Sequence, residues 1–186
     1  MIDRQKVAAL IRCFSDLADG QTLKSCELAA MLLECSPEPF SRRQYTPGHI
    51  TCTGLVLAPD GLRMLLVHHA RLGRWLAPGG HIEPEDAEIW DGARREVIEE
   101  TGVELASDGI PRFAGADVHG IPAEGSEPYH LHHDLLFAFH AVSDRFRLSH
   151  ESLDIAWCAP ADFERYQVPA NLLRAYARVR ELSSTR

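Results

Sequence analysis

Gly79-Gly80-His81-Ile82-Glu83-Pro84-Glu85-Asp86, followed after a short gap by Arg95-Glu96-Val97-Ile98-Glu99-Glu100-Thr101-Gly102-Val103, is the most informative part of this 186-residue chain. If the second segment is helical, Glu96, Glu99 and Glu100 stand at i, i+3 and i+4 and share one face. Like charges this close raise one another's cost of ionisation, so a bare helix would be destabilised by them. A hard divalent cation reverses that sign. Mg²⁺ in particular takes carboxylate oxygens and retains waters for a phosphate substrate. The competing reading is a solvated acidic face. The apolar Val97, Ile98 and Val103, and the Gly-Gly loop ahead of the helix, favour a metal site.

The pattern around this segment alternates strand and helix. Residues 2–18 place Val7, Leu10, Ile11, Phe14 and Leu17 at helical intervals, with Asp19-Gly20 as the expected stop. A second helical run over 23–34 carries Leu28, Met31 and Leu32 on one side, and Ser36-Pro37-Glu38-Pro39 breaks it. Two short helices must pack on something: their own core, a partner subunit in a homodimer, or the active site as a lid. Residues 49–58 and 63–69 are rich in apolar and β-branched side chains around Pro59-Asp60-Gly61, which reads as a β-hairpin. Trp75-Leu76-Ala77 suggests a short strand. A helix over 85–101 is expected, with Asp86 or a neighbour near its N-cap and Gly102 at its C-cap. Strands follow at 112–121, 131–142 and 154–158, then a short helix at 161–166 and a terminal helix at 171–182. This order suits an α/β mixed sheet between helices.

The glycine loop and acidic helix together resemble the box of the Nudix hydrolases: a Gly, a Glu six positions on, then Arg-Glu-apolar-x-Glu-Glu-x-Gly-apolar. The second half matches at every defined position over 95–103. The first half departs, because the loop between Gly80 and Arg95 is one residue longer. Counting forward from Gly80 lands on Asp86 and counting back from Arg95 lands on Ala87, so the family's first Glu is replaced by Asp86 or displaced to Glu85 or Glu88. In the family that residue braces the motif Arg and can add to the metal shell. The resemblance covers roughly 48–157. It implies a Nudix α/β/α sandwich over 46–186, with residues 1–45 a helical N-terminal extension.

The resemblance also implies metal-dependent hydrolysis of a phosphoanhydride in a nucleoside diphosphate linked to another group, a small nucleotide derivative being the partner. Glu96, Glu99 and Glu100 would hold Mg²⁺ or Mn²⁺ with the Gly79 carbonyl. Arg95 would orient a carboxylate of the box. The general base would be Glu96 or Glu99, or a downstream Glu124, Glu127 or Glu151. Two other accounts compete: a nucleotide-binding module that does not cut, and a His-rich transition-metal protein in which the box is merely an acidic helix.

Composition narrows the partners. A net charge of −8 argues against a nucleic-acid duplex or an anionic membrane surface. The five cysteines are odd in number and form no CxxC pair, which suits reduced thiols in a cytoplasmic protein. The N-terminus shows no secretory signal, and no run approaches the roughly 20 apolar residues of a membrane span.

Other residues compete for substrate. In Tyr129-His130-Leu131-His132-His133-Asp134, a strand would put His130, His132 and Asp134 on one face and His133 on the other. That trio suits a transition metal, a substrate cleft or a polar strand face. Arg71 and Arg74 flank Gly73 and could meet phosphate, as could His81 after the glycine loop. Trp75 either stacks on a base or packs inward. The loop 121–128, with Glu127, is the one expected to shape the pocket.

Overall fold

β1 (Gly48–Leu57) is buried along both faces except at Thr53, as expected for a β-branched, apolar run in the middle of a sheet. The computed structural model describes residues 2–15, 18–107, 109–149 and 152–184. In it β1 runs parallel to β6 (His130–His140), in register from Gly48↔Leu131 to Leu57↔His140. The far edge of β6 takes β5 (Arg112–Ile121) antiparallel.

The other edge of β1 is shared. β4 (Gly79–His81) pairs antiparallel with Thr51, Cys52 and Thr53. β2 (Met64–His69) touches β1 only at Leu57↔Met64, then leaves to pair with β3 (Arg74–Leu76) and β7 (Ser152–Cys158). The expected hairpin therefore closes only at its turn, where the Ala58 N–H donates to the Arg63 carbonyl at 2.9 Å. The reason is competition for one strand edge: with β4 seated on the middle of β1, β2 has nothing left there to pair with. The result is a mixed, splayed sheet with the order β3-β2-β1-β6-β5.

Helices cover both faces. Ile50, Cys52 and Val56 of β1 point into a core shared with α1 (Arg4–Ser15), α2 (Gly20–Cys35) and α3 (Ile89–Thr101), whereas Leu55 and Leu57 face α4 (Ala170–Ser184) through Leu172, Ala175, Tyr176 and Val179. This alternation is the period of two along a strand, and it makes the chain an α/β/α sandwich. The expected later elements fall within a few residues of β6, β7 and α4, with a 3₁₀ turn at Pro160–Asp162 in place of the short helix. All five cysteines are free thiols. Among the described residues no helix is long and apolar enough to cross a membrane.

The N-terminal helices pack on their own sheet, Phe14 meeting Phe113 edge-on at 4.8 Å between ring centres. α2 does so with a face that shares only Leu32 with the expected one. Thr22, Ser25, Cys26, Ala29, Leu32 and Leu33 are buried, while Leu28 and Met31 stay 43% and 59% exposed. The small side chains at 25, 26 and 29 let the helix backbone approach the sheet closely, which longer side chains would prevent. Leu17 lies outside the described residues.

Asp19, read from sequence as part of a stop, is the N-cap of α2. Its carboxylate accepts the Gln21 and Thr22 N–H groups at 3.1 and 3.0 Å, and Arg178 of α4 donates to it at 2.9 Å. Burial alone would raise its pKa, but the Thr22 and Gln21 hydrogen bonds and the charge of Arg174 outweigh it and hold the carboxyl below 3.8. Asp19→Ala should cost about 1–2 kcal/mol in urea unfolding at pH 7. Because the folded-state pKa is lowered, this contribution is present above about pH 3.8 and lost as the pH falls through the folded value. The gap between wild type and variant should therefore close in acid.

Candidate active site

α3 carries the acidic face, and its start is set by local hydrogen bonds. The helix begins at Ile89, four residues later than expected, because the preceding loop is engaged elsewhere. The Asp91 carboxylate accepts the Glu88 N–H at 2.9 Å, so Glu88 and not Asp86 is the N-cap. At the other end Gly102 adopts φ 59°, and its N–H donates to the Ile98 carbonyl. A left-handed cap of this kind favours glycine, which has no Cβ to clash. Val97 and Val103 are buried as expected, but Ile98 is 48% exposed and lies off the packed face. Val97 fits against β1 because residue 54 is glycine: a Cβ there would collide with the valine side chain.

Asp86 sits in the loop between β4 and α3, only 6% exposed. One carboxylate oxygen accepts the Glu83 N–H at 2.8 Å. The same oxygen takes Arg95 Nη2 at 3.3 Å, and the other takes Arg95 Nε at 3.4 Å. Arg95 is thus gripped by a carboxylate that is one methylene shorter than glutamate and arrives on a loop one residue longer. Glu88 instead reaches Lys6 at 3.7 Å. The remaining donors of Arg95 tie three parts together. Nη2 donates to the His81 carbonyl at 2.8 Å, and Nη1 reaches Glu96 at 2.9 Å and Glu99 at 3.2 Å. A planar guanidinium can serve several acceptors at once, which a lysine cannot.

The three helix carboxylates differ in setting. Glu99 is open to solvent, with 59% of its side chain exposed, and Glu96 is nearly covered at 15%. Glu100 is buried at 6% and accepts the Gly79 N–H at 2.9 Å. Glu96 lies directly over Gly80, where any Cβ would run into its carboxylate. Gly80 is therefore what lets β4 and the acidic helix face approach each other, while Gly79 makes room for the backbone of β1 at Cys52 and Thr53.

A second polar cluster occupies the opposite face of the sheet. His49, His81 and His132 each place a ring nitrogen within 4.8 Å of the others. His130 stacks on His49 at 5.0 Å, and His119 meets His132 at 5.7 Å. Burial and then neighbouring histidines push His132 down to about 2 and His81 down to about 4. The grouping differs from the expected His130, His132 and Asp134. Asp134 does face the same side, but Thr51 and Thr53 of β1 hold its carboxylate at 3.1 and 2.7 Å, and burial raises its pKa. His133 points to the other face, as expected, with neither ring nitrogen bonded among the described residues.

The family profile of the NUDIX domain matches residues 48–179, well over half the chain. The chain belongs to the NUDIX family. A MutT-like protein of Streptomyces ambofaciens is 30% identical over 111 residues, which is 60% of this NUDIX chain and 64% of that relative, so less than two thirds of the relative's length is covered. Among solved structures, the MutT protein of Methanosarcina mazei Go1 has a TM-score of 0.53 at 24% identity over 71% of this chain and 93% of that one. The NUDIX domain of Shewanella oneidensis NrtR, complexed with ADP ribose, has a TM-score of 0.52 at 19% identity over 71% of this chain and 86% of that one. These likenesses show a shared fold. The match starts at residue 48, so α1 and α2 lie outside it.

The other expected site residues of this NUDIX chain are scattered. Arg71 pairs with Glu124 at 3.1 Å, both side chains being largely exposed. Glu124 and Glu127 exchange backbone hydrogen bonds of 2.9 Å and close the loop on itself. Arg74 lines a cavity of about 280 Å³ with His68, Trp75, Arg165 and Tyr166, and no residue of α3 or β4 takes part. Trp75 packs inward there, stacked on His68 at 5.1 Å and edge-on to Tyr166 at 4.8 Å. Glu151 lies outside the described residues. His49, like His119, is a member of the histidine cluster that the sequence reading missed. It stands well away from the 130–134 run, and only the β1–β6 register pairs it with His132.

Proposed function

We propose that this chain hydrolyses a phosphoanhydride bond in a nucleoside diphosphate linked to a second group, with Mg²⁺ or Mn²⁺ held by Glu96, Glu99, Glu100 and the Gly79 carbonyl. The observation that carries the reading is the Arg95 hub. One guanidinium joins the Asp86 loop, the β4 backbone and two helix carboxylates, beside a third carboxylate seated on Gly79. Such a donor set is all oxygen and strongly anionic, and it suits a hard cation better than a softer transition metal. When bound, the cation would offset phosphate charge and lower the pKa of a bound water.

The chain's own residues would do the positioning. Arg95 fixes the rotamers of Glu96 and Glu99, and Gly79 orients Glu100, so little reorganisation is left for the reaction itself. Glu99, the most exposed of the three, is best placed to meet the attacking water as general base. Arg71 keeps donors beyond the one that meets Glu124 and could offer them to phosphate, although the Glu124 carboxylate beside it offsets its charge. The ADP ribose in the NrtR domain makes ADP-ribose-like nucleoside diphosphate sugars the first substrates to try.

The test is phosphate or nucleotide release from a panel of nucleoside triphosphates, sugar nucleotides and dinucleotides with Mg²⁺ or Mn²⁺, comparing wild type with Glu99→Gln. Release that needs both metal and Glu99 supports the hydrolase. Tight nucleotide binding without release would support the binding module instead. Gly80→Ala adds a geometric check. Its methyl group must push Glu96 aside, and a displacement on the order of 1 Å should cost about a hundredfold in turnover, with the thermal midpoint read alongside.

A further inference from the structure

The geometry points to a second metal site, in which His49, His81 and His132 supply three imidazole nitrogens to a borderline transition cation of the Zn²⁺ class. The carboxylate reading neither requires nor supplies it, and the two sites use opposite faces of β4. A Cβ on Gly80 would point at Glu96, so His81, the next residue of the strand, faces the other way. His81 pairs with Thr51, and His49 pairs with His132 across the parallel β1–β6 ladder. Three strands thus deliver one ring each to a common point.

The three ligand nitrogens lie within 4.8 Å of one another. Tetrahedral Zn²⁺ at its usual bond length wants them roughly 3.3 Å apart, which small rotations of the side chains can supply. His49 is already prepared for the task. It is 1% exposed, and its Nδ1 lies 3.1 Å from the Gln44 carbonyl. A carbonyl only accepts, so the hydrogen sits on Nδ1 and the lone pair on Nε2. That Nε2 is buried without a hydrogen-bond partner among the described residues. A buried lone pair without a partner is costly, and a backbone carbonyl fixing the other ring nitrogen is the usual support of a metal-bound histidine. His81 and His132 are only half-buried and leave an approach for the ion. With nitrogen donors alone the site discriminates against Mg²⁺, and three protein ligands leave a fourth position for water.

Asp134 is not a ligand, since Thr51 and Thr53 hold both its oxygens. His119 and His130 flank the site with their Nδ1 atoms held by Asp117 and by the Pro128 carbonyl, at 3.0 and 2.8 Å.

The experiment is equilibrium dialysis of untagged, full-length protein against Zn²⁺ in excess Mg²⁺, with zinc measured by mass spectrometry. About one Zn²⁺ per chain is expected. His81→Asn and His132→Asn, chosen because both are half-buried, should each weaken binding by at least about a hundredfold, while Glu99→Gln binds zinc as wild type does. A variant-free measurement runs beside it: Co²⁺ added to wild type should give the intense visible bands of a four-coordinate, nitrogen-ligated ion. Weak octahedral bands, zinc binding unchanged in both histidine variants, or zinc lost in Glu99→Gln would each overturn the site.

Discussion

Glu100→Gln should lower metal-dependent turnover by about 10²–10³-fold with the fold intact. The substitution keeps the side chain's size but removes a negative charge and replaces one oxygen by an NH₂ group that cannot ligate a hard cation. At position 100 it carries a further penalty. The native carboxylate is buried and accepts the Gly79 N–H at 2.9 Å, so an amide must either turn its oxygen to that donor or set two donors face to face. Glu99→Gln should be comparably impaired in turnover but neutral for stability, since Glu99 is largely in solvent. Steady-state rates at saturating Mg²⁺, with circular dichroism and thermal midpoints, separate the two effects. Near-normal activity in both variants would remove these carboxylates from the chemistry.

The second large effect is expected at the Asp86–Arg95 pair. Removing one partner of a buried ion pair typically costs 3–5 kcal/mol, because the other is left charged and unpaired. Arg95 keeps a quarter of its side chain in solvent, so about 2–3 kcal/mol is the discounted expectation for Asp86→Ala. In a chain of this size that is a drop of roughly 4–12 °C in the thermal midpoint. Arg95→Lys should lose most of the same stability and the activity too, since one ammonium cannot replace contacts to Asp86, the His81 carbonyl, Glu96 and Glu99. Asp86→Glu restores the family's residue type yet should not be neutral. The extra loop residue already supplies the reach, and the added methylene must find room in a site that is 6% exposed. A wild-type midpoint for Asp86→Ala would mean that Arg95 is held by its other acceptors alone.

The acidic face was legible because its three carboxylates lie within about one turn, where spacing along the chain is spacing in space. The same holds for Gly102, whose conformation belongs to its own backbone, and for β1 as a strand, whose run of apolar and β-branched residues is local. The direction in which α2 presents itself was not legible. Leu28 and Met31 stay outside, and the helix turns the small Ser25, Cys26 and Ala29 to the sheet together with Leu32 and Leu33. On that face two leucines are buried while small side chains allow close backbone approach. Nor was the identity of the brace. Motif counting left Asp86, Glu85 and Glu88 open, and the direction of each carboxylate depends on how the 82–88 loop folds over β4.

What the chain itself determined, then, was local: most of the elements (though not β4, read as a loop), the acidic face, the Gly102 cap and the family they imply. The tertiary structure decided every relation between distant residues. Edge competition on β1 opened the expected hairpin, and the β1–β6 register set His49 beside His132 and gave Asp134 to two threonines. Strand pairing is fixed by which edges remain free and by the register of long-range partners. Those are properties of the assembled sheet, and no window of sequence contains them.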